Sequence, residues 1–293
     1  MRHIPEPLRP DFRYCQEIVR ANQENFLVGS LLITPVIRPF VHTIYAFARM
    51  ADDFADLPGR SEAEQMQLLD DWSRRLQLAE AGKPDHPIFR ALSYLFETTA
   101  LPPYLLHHLL VAFRMDVTHK RYETMEQLKE YCRYSANPIG RILLHFTGVQ
   151  HPEALAQSDA ICTALQLTNH WQDIGQDVWH GRPLYLPLEA MNHFGVSEQN
   201  ILERRFSPAV GELMLSLIEQ TRQLYQQGEP LLRQLPWPFN LEIAIAWEAG
   251  MTLLQQMEFL GGNTLRHRPT LRMDDWFFCY WRALHRIVGK RPA

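Results

Sequence analysis

The sequence has few cysteines and no long uncharged apolar run, and each absence excludes a class of protein. Cys15, Cys132, Cys162 and Cys279 are scattered, without the CxxC or Cys/His spacing of a zinc site. They predict reduced thiols of a cytosolic protein. No window reaches the roughly 18 apolar residues that a spanning helix needs, and the N-terminus lacks the apolar stretch of a signal peptide. These absences predict a cytoplasmic protein whose membrane contact is peripheral, at the inner face.

Charge of neither sign dominates the chain. The 293 residues carry a formal net charge of −4, and acidic and basic residues are interspersed along the sequence. Such a balance gives no reason to expect a nucleic-acid partner. Hydrophobic residues make up 46% of the chain, which is enough to bury a substantial core.

Helical periodicity is the main pattern, and alternating strand-like runs are absent. Apolar residues recur at three- and four-residue spacing in most windows, as in AVGELMLSLIEQTRQLYQQG. Proline and glycine fall between these windows, which predicts about nine or ten helices joined by short loops. No stretch is typical of an interdomain linker. The sequence therefore predicts one all-α domain over residues 1–293, with residues 1–20 as a poorly ordered segment.

A first acidic set follows an apolar segment. Asp52 and Asp56 are four residues apart and share a helix face, and Asp53 lies beside Asp56. Tyr45 and Arg49 continue that face toward the N-terminus. The surrounding apolar residues predict a largely buried helix, where unpaired carboxylates are costly. Because magnesium prefers hard oxygen ligands, the set predicts a Mg²⁺ site, with an exposed acidic helix end as the alternative.

A second set of oxygen-bearing side chains lies farther along the chain. Asn169, Asp173 and Asp177 are spaced i, i+4, i+8, and Gln166 extends the same helix face. No lysine or arginine lies inside this run. Two such sets in one helical protein indicate Mg²⁺ more strongly than either set alone, and Mg²⁺ held by carboxylates is commonly also bound by the phosphates of a substrate such as a diphosphate.

Basic residues near the second set are candidate ligands of that diphosphate. Arg182 and Tyr185 follow it closely, and the planar guanidinium of arginine matches phosphate geometry. The alternative is an ordinary loop that ends a helix. Arg266 and Arg268 are weaker candidates for the same role.

These segments together resemble the squalene/phytoene synthase family of head-to-head prenyl synthases. The two D-x-x-x-D motifs of the family are matched by Asp52/Asp56 and Asp173/Asp177, and its Q-L-x-N-x-x-x-D motif begins at Gln166. The resemblance covers roughly residues 24–200 clearly and the C-terminal third loosely. It implies an isoprenoid synthase fold around a central helical cavity, Mg²⁺ as cofactor and a prenyl diphosphate as substrate.

Within the family, residues 45–56, 135–141 and 167–173 are most similar to the bacterial hydroxysqualene synthases of hopanoid biosynthesis. Those enzymes convert presqualene diphosphate and water to hydroxysqualene and diphosphate. The segment Ser135–Gly140 reads S-A-N-P-I-G, where other members usually have V-A-G-x-V-G. The loop G-R-P-L-Y-L-P at 181–187 is one residue longer than the usual G-R-x-Y-L-P.

The resemblance also implies roles for single residues. Arg49, with the metal, neutralises the leaving diphosphate. A separate hypothesis, based on a polar amide where relatives are apolar and glycine-rich, is that Asn137 helps to place the water that ends the reaction, with a helix-kinking Asn-Pro pair as the alternative. Aromatic side chains stabilise the carbocation through their ring faces, with core packing as the alternative. The aromatic candidates are Tyr45, Phe26, Phe47 and Trp171.

Two other functions fit the same motifs. A condensing synthase, which joins two farnesyl or geranylgeranyl diphosphates into presqualene diphosphate, squalene or phytoene, would use the same acids. A noncatalytic isoprenoid carrier would be expected to lose metal ligands, and this sequence keeps both motifs. The aromatic and basic segment 274–286 predicts a terminal helix packed on the core, with rest on a bilayer surface as the alternative. Handover to other squalene-pathway enzymes is a further expected partner interaction.

Overall fold

The computed structural model describes residues 4–22, 33–56, 59–118, 121–180 and 184–288. Within these ranges the chain forms thirteen α-helices and two short 3-10 helices, and a single isolated bridge, between Tyr122 and Pro187, is the only strand-like pairing. The all-α prediction is confirmed. The predicted number of helices is too low, partly because two of the helices are only five and six residues long.

Most of the helices are separated by the proline and glycine residues that mark loops in the sequence. In chain order they are α1 (Arg9–Ala21), α2 (Arg38–Ala55), α3 (Glu62–Glu80), α4 (Pro87–Thr99), α5 (Tyr104–Thr118), α6 (Met125–Ser135), α7 (Asn137–Thr147), α8 (Pro152–Trp179), α9 (Leu188–His193), α10 (Glu198–Leu202), α11 (Pro208–Gly228), α12 (Phe239–Phe259) and α13 (Met273–Val288).

The helices group into two compact units, and the first contains residues 1–118 and 142–148. In this unit α2 packs against α1, α3, α4 and α5. The rings of Phe47, Trp72 and Phe89 form its aromatic core, with Trp72 and Phe89 centroids 4.5 Å apart. The Trp72 indole donates a hydrogen bond of 3.2 Å to the Phe47 carbonyl. This core fixes the middle of α2, which carries the first acidic set at its C-terminal end.

The second unit contains residues 119–141 and 149–293. Its longest helix, α8, has 28 residues and packs against α6, α11 and α12. Trp171 is completely buried, and its indole donates a hydrogen bond of 2.8 Å to Thr221. Thr168 pairs with the Tyr225 hydroxyl at 3.0 Å. These contacts fix the orientation of α8 about its own axis and thus the face that the second set occupies.

The N-terminal segment differs from the expectation of poor order. α1 begins at Arg9, and Pro10 lies in its first turn. Backbone N–H groups in a first turn have no partner within the helix, so the missing N–H of proline costs nothing there. Phe12 and Cys15 are buried, and Asp11 accepts an ion pair of 2.7 Å from Arg90. The expectation is therefore wrong for residues 9–20. Organisation as one domain over residues 1–293 stays a prediction.

The cysteines are free thiols, as predicted. Burial raises the pKa of Cys15, Cys132 and Cys162 to about 12, so these thiols are protonated at neutral pH. Among the described helices, none combines the length and apolarity needed to cross a bilayer.

Candidate functional site

The first acidic set lies on the last turns of α2. Ala51 and Ala55 are buried, whereas the side chains of Asp52 and Asp53 keep 40% and 43% of their surface exposed. Asp56 caps the helix and is exposed. The helix is thus largely buried, as predicted, and its carboxylates occupy the accessible part of its surface.

Arg49 offsets the negative charge of this set. Its guanidinium contacts Asp52 at 3.0 Å and Asp53 at 2.5 Å. The i, i+3 and i, i+4 spacings place the three side chains on one helix face. An arginine of the same helix therefore relieves the mutual repulsion of the carboxylates. The positions of the three residues in the sequence are enough to predict this pairing.

The aromatic candidates near this set have different surroundings. The Tyr45 hydroxyl, one turn before Arg49, donates a hydrogen bond of 3.2 Å to the Asn22 carbonyl. Phe47 is completely buried in the core of its unit, so core packing explains it, and the same holds for Trp171 in the second unit. Phe26 lies outside the described residues.

The second set occupies the accessible face of α8. Asn169 is exposed, and Gln166, Asp173 and Asp177 are half-buried. The i, i+4, i+8 spacing places these oxygen donors along one line, as the sequence predicts. Their role as metal ligands stays a prediction.

A segment that follows α12 closes over α8 beside this set. We call residues Thr264–Pro269 the strap. Arg268 contacts Asp173 at 2.5 Å, and the Gln172 amide donates a hydrogen bond of 2.7 Å to the Pro269 carbonyl. Arg204 donates to the Leu265 carbonyl at 2.9 Å from the other side. The strap thus places a cation on the middle carboxylate of the second set.

Gly175 makes this close approach possible. A Cβ atom at Gly175 would lie 2.4 Å from the carbonyl oxygen of Leu265 and 3.0 Å from that of Thr264. Both neighbours are backbone atoms, which cannot rotate away as a side chain can. A glycine at this position of α8 is therefore required by packing, although glycine weakens a helix interior.

The donor atoms of both sets fit Mg²⁺ by chemical type, since carboxylate and amide oxygens are hard ligands. Among the described residues, no three His, Cys, Asp or Glu side chains are gathered as a metal site. Instead an arginine contacts each set, Arg49 on the first and Arg268 on the second. Metal binding would therefore require the carboxylates to exchange an arginine for the ion.

An aromatic cluster lies beside the second set. The ring of Tyr185 stacks on that of His170 at 3.9 Å with an angle of 12°. The rings of Tyr131 and Tyr122 lie 5.5 and 5.8 Å from Tyr185. Tyr185, His170 and Asp177 line one small cavity. The structure thus brings Tyr185 next to the second set, whereas Arg182 lies outside the described residues.

His170 is neutral in this cluster. Burial lowers the pKa of its imidazole from 6.5 to about 3. A neutral imidazole stacks on Tyr185 without adding a positive charge beside Asp177. No spacing rule would have predicted this contact, because residues 170 and 185 belong to different elements.

The ring stack of Tyr185 on His170 makes a testable contribution to stability. We expect Tyr185→Leu to lower the free energy of unfolding by about 1 kcal/mol, the usual value of an aromatic pair. Tyr185→Phe keeps the ring and should unfold closer to the wild type than Tyr185→Leu does. Urea unfolding of both variants tests this. A Tyr185→Leu variant as stable as the wild type would contradict a stabilising stack.

The chain is similar to known proteins over most of its length. The family described as squalene/phytoene synthase matches residues 19–275. A hydroxysqualene synthase of Rhodopseudomonas palustris is 34% identical over 279 residues, which cover 92% of each chain. A 15-cis-phytoene synthase of Synechocystis sp. is 31% identical over 243 residues, which cover 78% of this chain and 72% of that protein.

A solved structure has the same fold. The crystal structure of squalene synthase HpnC from Alicyclobacillus acidocaldarius aligns with a TM-score of 0.83 at 34% identity. The alignment covers 88% of this chain and 97% of that chain.

Proposed function

The chain belongs to the squalene/phytoene synthase family of prenyltransferase-type enzymes, and from this premise we propose that it is a Mg²⁺-dependent hydroxysqualene synthase. It would convert presqualene diphosphate and water to hydroxysqualene and diphosphate. The observation that carries the proposal is the pair of accessible oxygen-donor sets, each in contact with an arginine. The likeness to a hydroxysqualene synthase over 92% of both chains supports the choice of reaction.

The carboxylates and the arginines would divide the binding of the leaving group. Asp52, Asp56, Asp173 and Asp177, with Asp53 and Asn169, would hold the Mg²⁺ ions. Bound Mg²⁺ supplies electrostatic stabilisation of the departing diphosphate. Arg49 and Arg268 contact the carboxylates in this structure. They would donate hydrogen bonds to the phosphate oxygens. Gln166, Tyr185 and Arg182 complete the proposed substrate contacts.

The reaction needs no reductant. The carbon–oxygen bond of presqualene diphosphate breaks, and its electron pair leaves with diphosphate. The resulting cyclopropylcarbinyl cation rearranges, water forms a new carbon–oxygen bond, and one proton is released. Because stray water would end the rearrangement early, only one water should have access to the cation.

Asn137 is the proposed contact for that water. It begins α7, is buried, and its side-chain oxygen accepts a hydrogen bond of 3.0 Å from Thr163. The Asn-Pro pair thus lies at the start of a new helix, after α6 ends at Ser135. The Thr163 contact fixes the amide oxygen and leaves the amide nitrogen as a potential donor.

We expect Asn137→Ala to lower the rate of hydroxysqualene formation roughly tenfold, the scale of one buried hydrogen bond, and to increase other products. Thr163→Val is the matched control, because it removes the hydrogen bond and keeps the amide. Mass spectrometry of extracted products gives both rate and distribution. If Asn137→Ala forms only hydroxysqualene at the wild-type rate, Asn137 does not position the water.

A condensing synthase is the second candidate, favoured by the 31% identity to a 15-cis-phytoene synthase. Release of diphosphate from presqualene, farnesyl and geranylgeranyl diphosphates, compared side by side with Mg²⁺ and with a chelator, separates the two. We expect release from presqualene diphosphate alone, abolished by the chelator. Consumption of farnesyl or geranylgeranyl diphosphate would move the function to the condensing reaction, and a noncatalytic carrier would release none.

The proposed reaction also implies one enzyme activity that acts before it and one that acts after it. A head-to-head condensing activity must supply presqualene diphosphate, and an activity that accepts an apolar triterpene alcohol must consume the product. Direct handover to such enzymes remains part of the proposal.

A further inference from the structure

α13 exposes its large apolar side chains to solvent. Phe277 and Trp281 keep 66% and 53% of their surface exposed, and Met273 keeps 87%. Spacings of three, four and seven residues place the large side chains on one helix face. We call this set the outer face of α13, and it consists of Met273, Phe277, Tyr280, Trp281 and Val288. The predicted packing of these aromatics on the core is therefore wrong for most of them.

The opposite face of α13 holds the helix on its unit through small residues. Cys279 and Ala283 are buried where α13 packs against α12. Arg286 contacts Glu248 and Glu229, each at 2.6 Å, and its guanidinium lies 4.1 Å from the ring centroid of Trp247. Because the helix is fixed by these contacts, its outer face is a stable feature.

The sequence that follows Asp275 is basic. Residues 276–293 contain Arg282, Arg286, Lys290 and Arg291 and no acidic residue, and Arg282 is exposed. The acids Asp274 and Asp275 lie at the N-terminal end of the helix. Aromatic residues flanked by basic ones are typical of helices that lie in the interface of an anionic bilayer.

We propose that α13 docks the protein on the surface of an anionic lipid bilayer, with Phe277 and Trp281 inserted at the level of the headgroups. The helix lies in the plane of the interface. This inference adds to the proposed function, because a bilayer surface is where an enzyme meets isoprenoids of low solubility in water. Binding to vesicles needs no substrate, so its failure and a failure of the proposed catalysis are distinguishable.

The test is flotation of the full chain with vesicles of phosphatidylcholine alone or mixed equally with phosphatidylglycerol. We expect binding to the mixed vesicles that weakens with added salt. Phe277→Ser combined with Trp281→Ser should lower the partition coefficient about tenfold or more, since two aromatic side chains lose their burial. Tyr104→Ser, an exposed aromatic residue in the first unit, is the matched control and should bind as wild type.

A second measurement keeps the proposal testable if the double variant fails to fold. Vesicles with brominated lipids should quench the fluorescence of the wild-type protein more than that of Trp281→Phe. Three results would overturn the proposal: no binding to anionic vesicles, equal binding by wild type and a folded double variant, or equal quenching of wild type and Trp281→Phe. A dimer in sedimentation that the double variant abolishes, without vesicle binding, would assign the outer face to a second copy instead.

Discussion

Replacing Asp173 by asparagine is expected to lower kcat for presqualene diphosphate by about 10²–10³-fold, the scale seen when one charge-stabilising group is removed from an active site. Asp173 is the middle donor of the second set, lies on the accessible face of α8 and contacts Arg268 at 2.5 Å. The substitution keeps the shape of the side chain and removes its charge. Initial rates at saturating substrate, over a range of Mg²⁺ concentrations, measure the effect.

Two controls separate metal binding from the placement of Arg268. Gln176→Ala changes an exposed residue of the same helix outside the donor set and should keep wild-type turnover. Arg268→Met removes the partner cation and leaves the carboxylate. If Asp173 binds the metal, only Asp173→Asn should raise the half-saturating concentration of Mg²⁺ strongly. Turnover by Asp173→Asn at the wild-type rate would contradict its role.

Gly175→Ala is expected to destabilise the protein by about 1–3 kcal/mol, the usual cost of overpacking a tight contact. An alanine in an unobstructed helix position would instead stabilise by up to about 1 kcal/mol, so the sign of the change is informative. The new Cβ would meet the Leu265 carbonyl at 2.4 Å. The strap must then move, which weakens the contacts of Gln172 and Arg268 with it.

Thermal and urea unfolding of Gly175→Ala test the stability part of this prediction, again with Gln176→Ala as control. The functional part is a fall in kcat, because Arg268, one of the proposed contacts of the phosphate oxygens, would move with the strap. Stability equal to or above that of the wild type would show that the strap does not hold Gly175 in close contact.

Local spacing predicts most of the two donor sets, for a physical reason. The 3.6-residue period of an α-helix fixes which residues share a face, so Asn169, Asp173 and Asp177 align wherever α8 packs. The Arg49 ion pairs have the same origin, since their partners are three and four residues away. The sequence places Arg49 on the same face as these acids, and the structure adds that its guanidinium contacts Asp52 and Asp53.

Contacts between distant segments were beyond sequence reasoning. The Arg268–Asp173 pair joins residues 95 positions apart, and no periodicity relates them. The need for glycine at position 175 could not be predicted either, because it comes from the close approach of the strap. The aromatic residues of α13 were predicted to pack on the core. Amphipathic spacing shows that a helix has an apolar face, but it does not show whether the rest of the protein covers that face.

The N-terminal segment shows how composition misleads. Residues 1–20 were expected to be poorly ordered, yet Pro10 suits the first turn of α1, and Phe12 and Cys15 on the same helix are buried. Proline in a first turn is compatible with a helix, and apolar spacing after it was the better signal.

The most direct test of the proposed function is the origin of the oxygen in the product. Purified protein with Mg²⁺ and presqualene diphosphate, in ¹⁸O-labelled water and without a reductant, should form hydroxysqualene that carries one labelled oxygen. Mass spectrometry of the extracted alcohol reads the label, and a chelator or Asp173→Asn should abolish the product. Absence of turnover, or a hydrocarbon product without oxygen, would contradict the account.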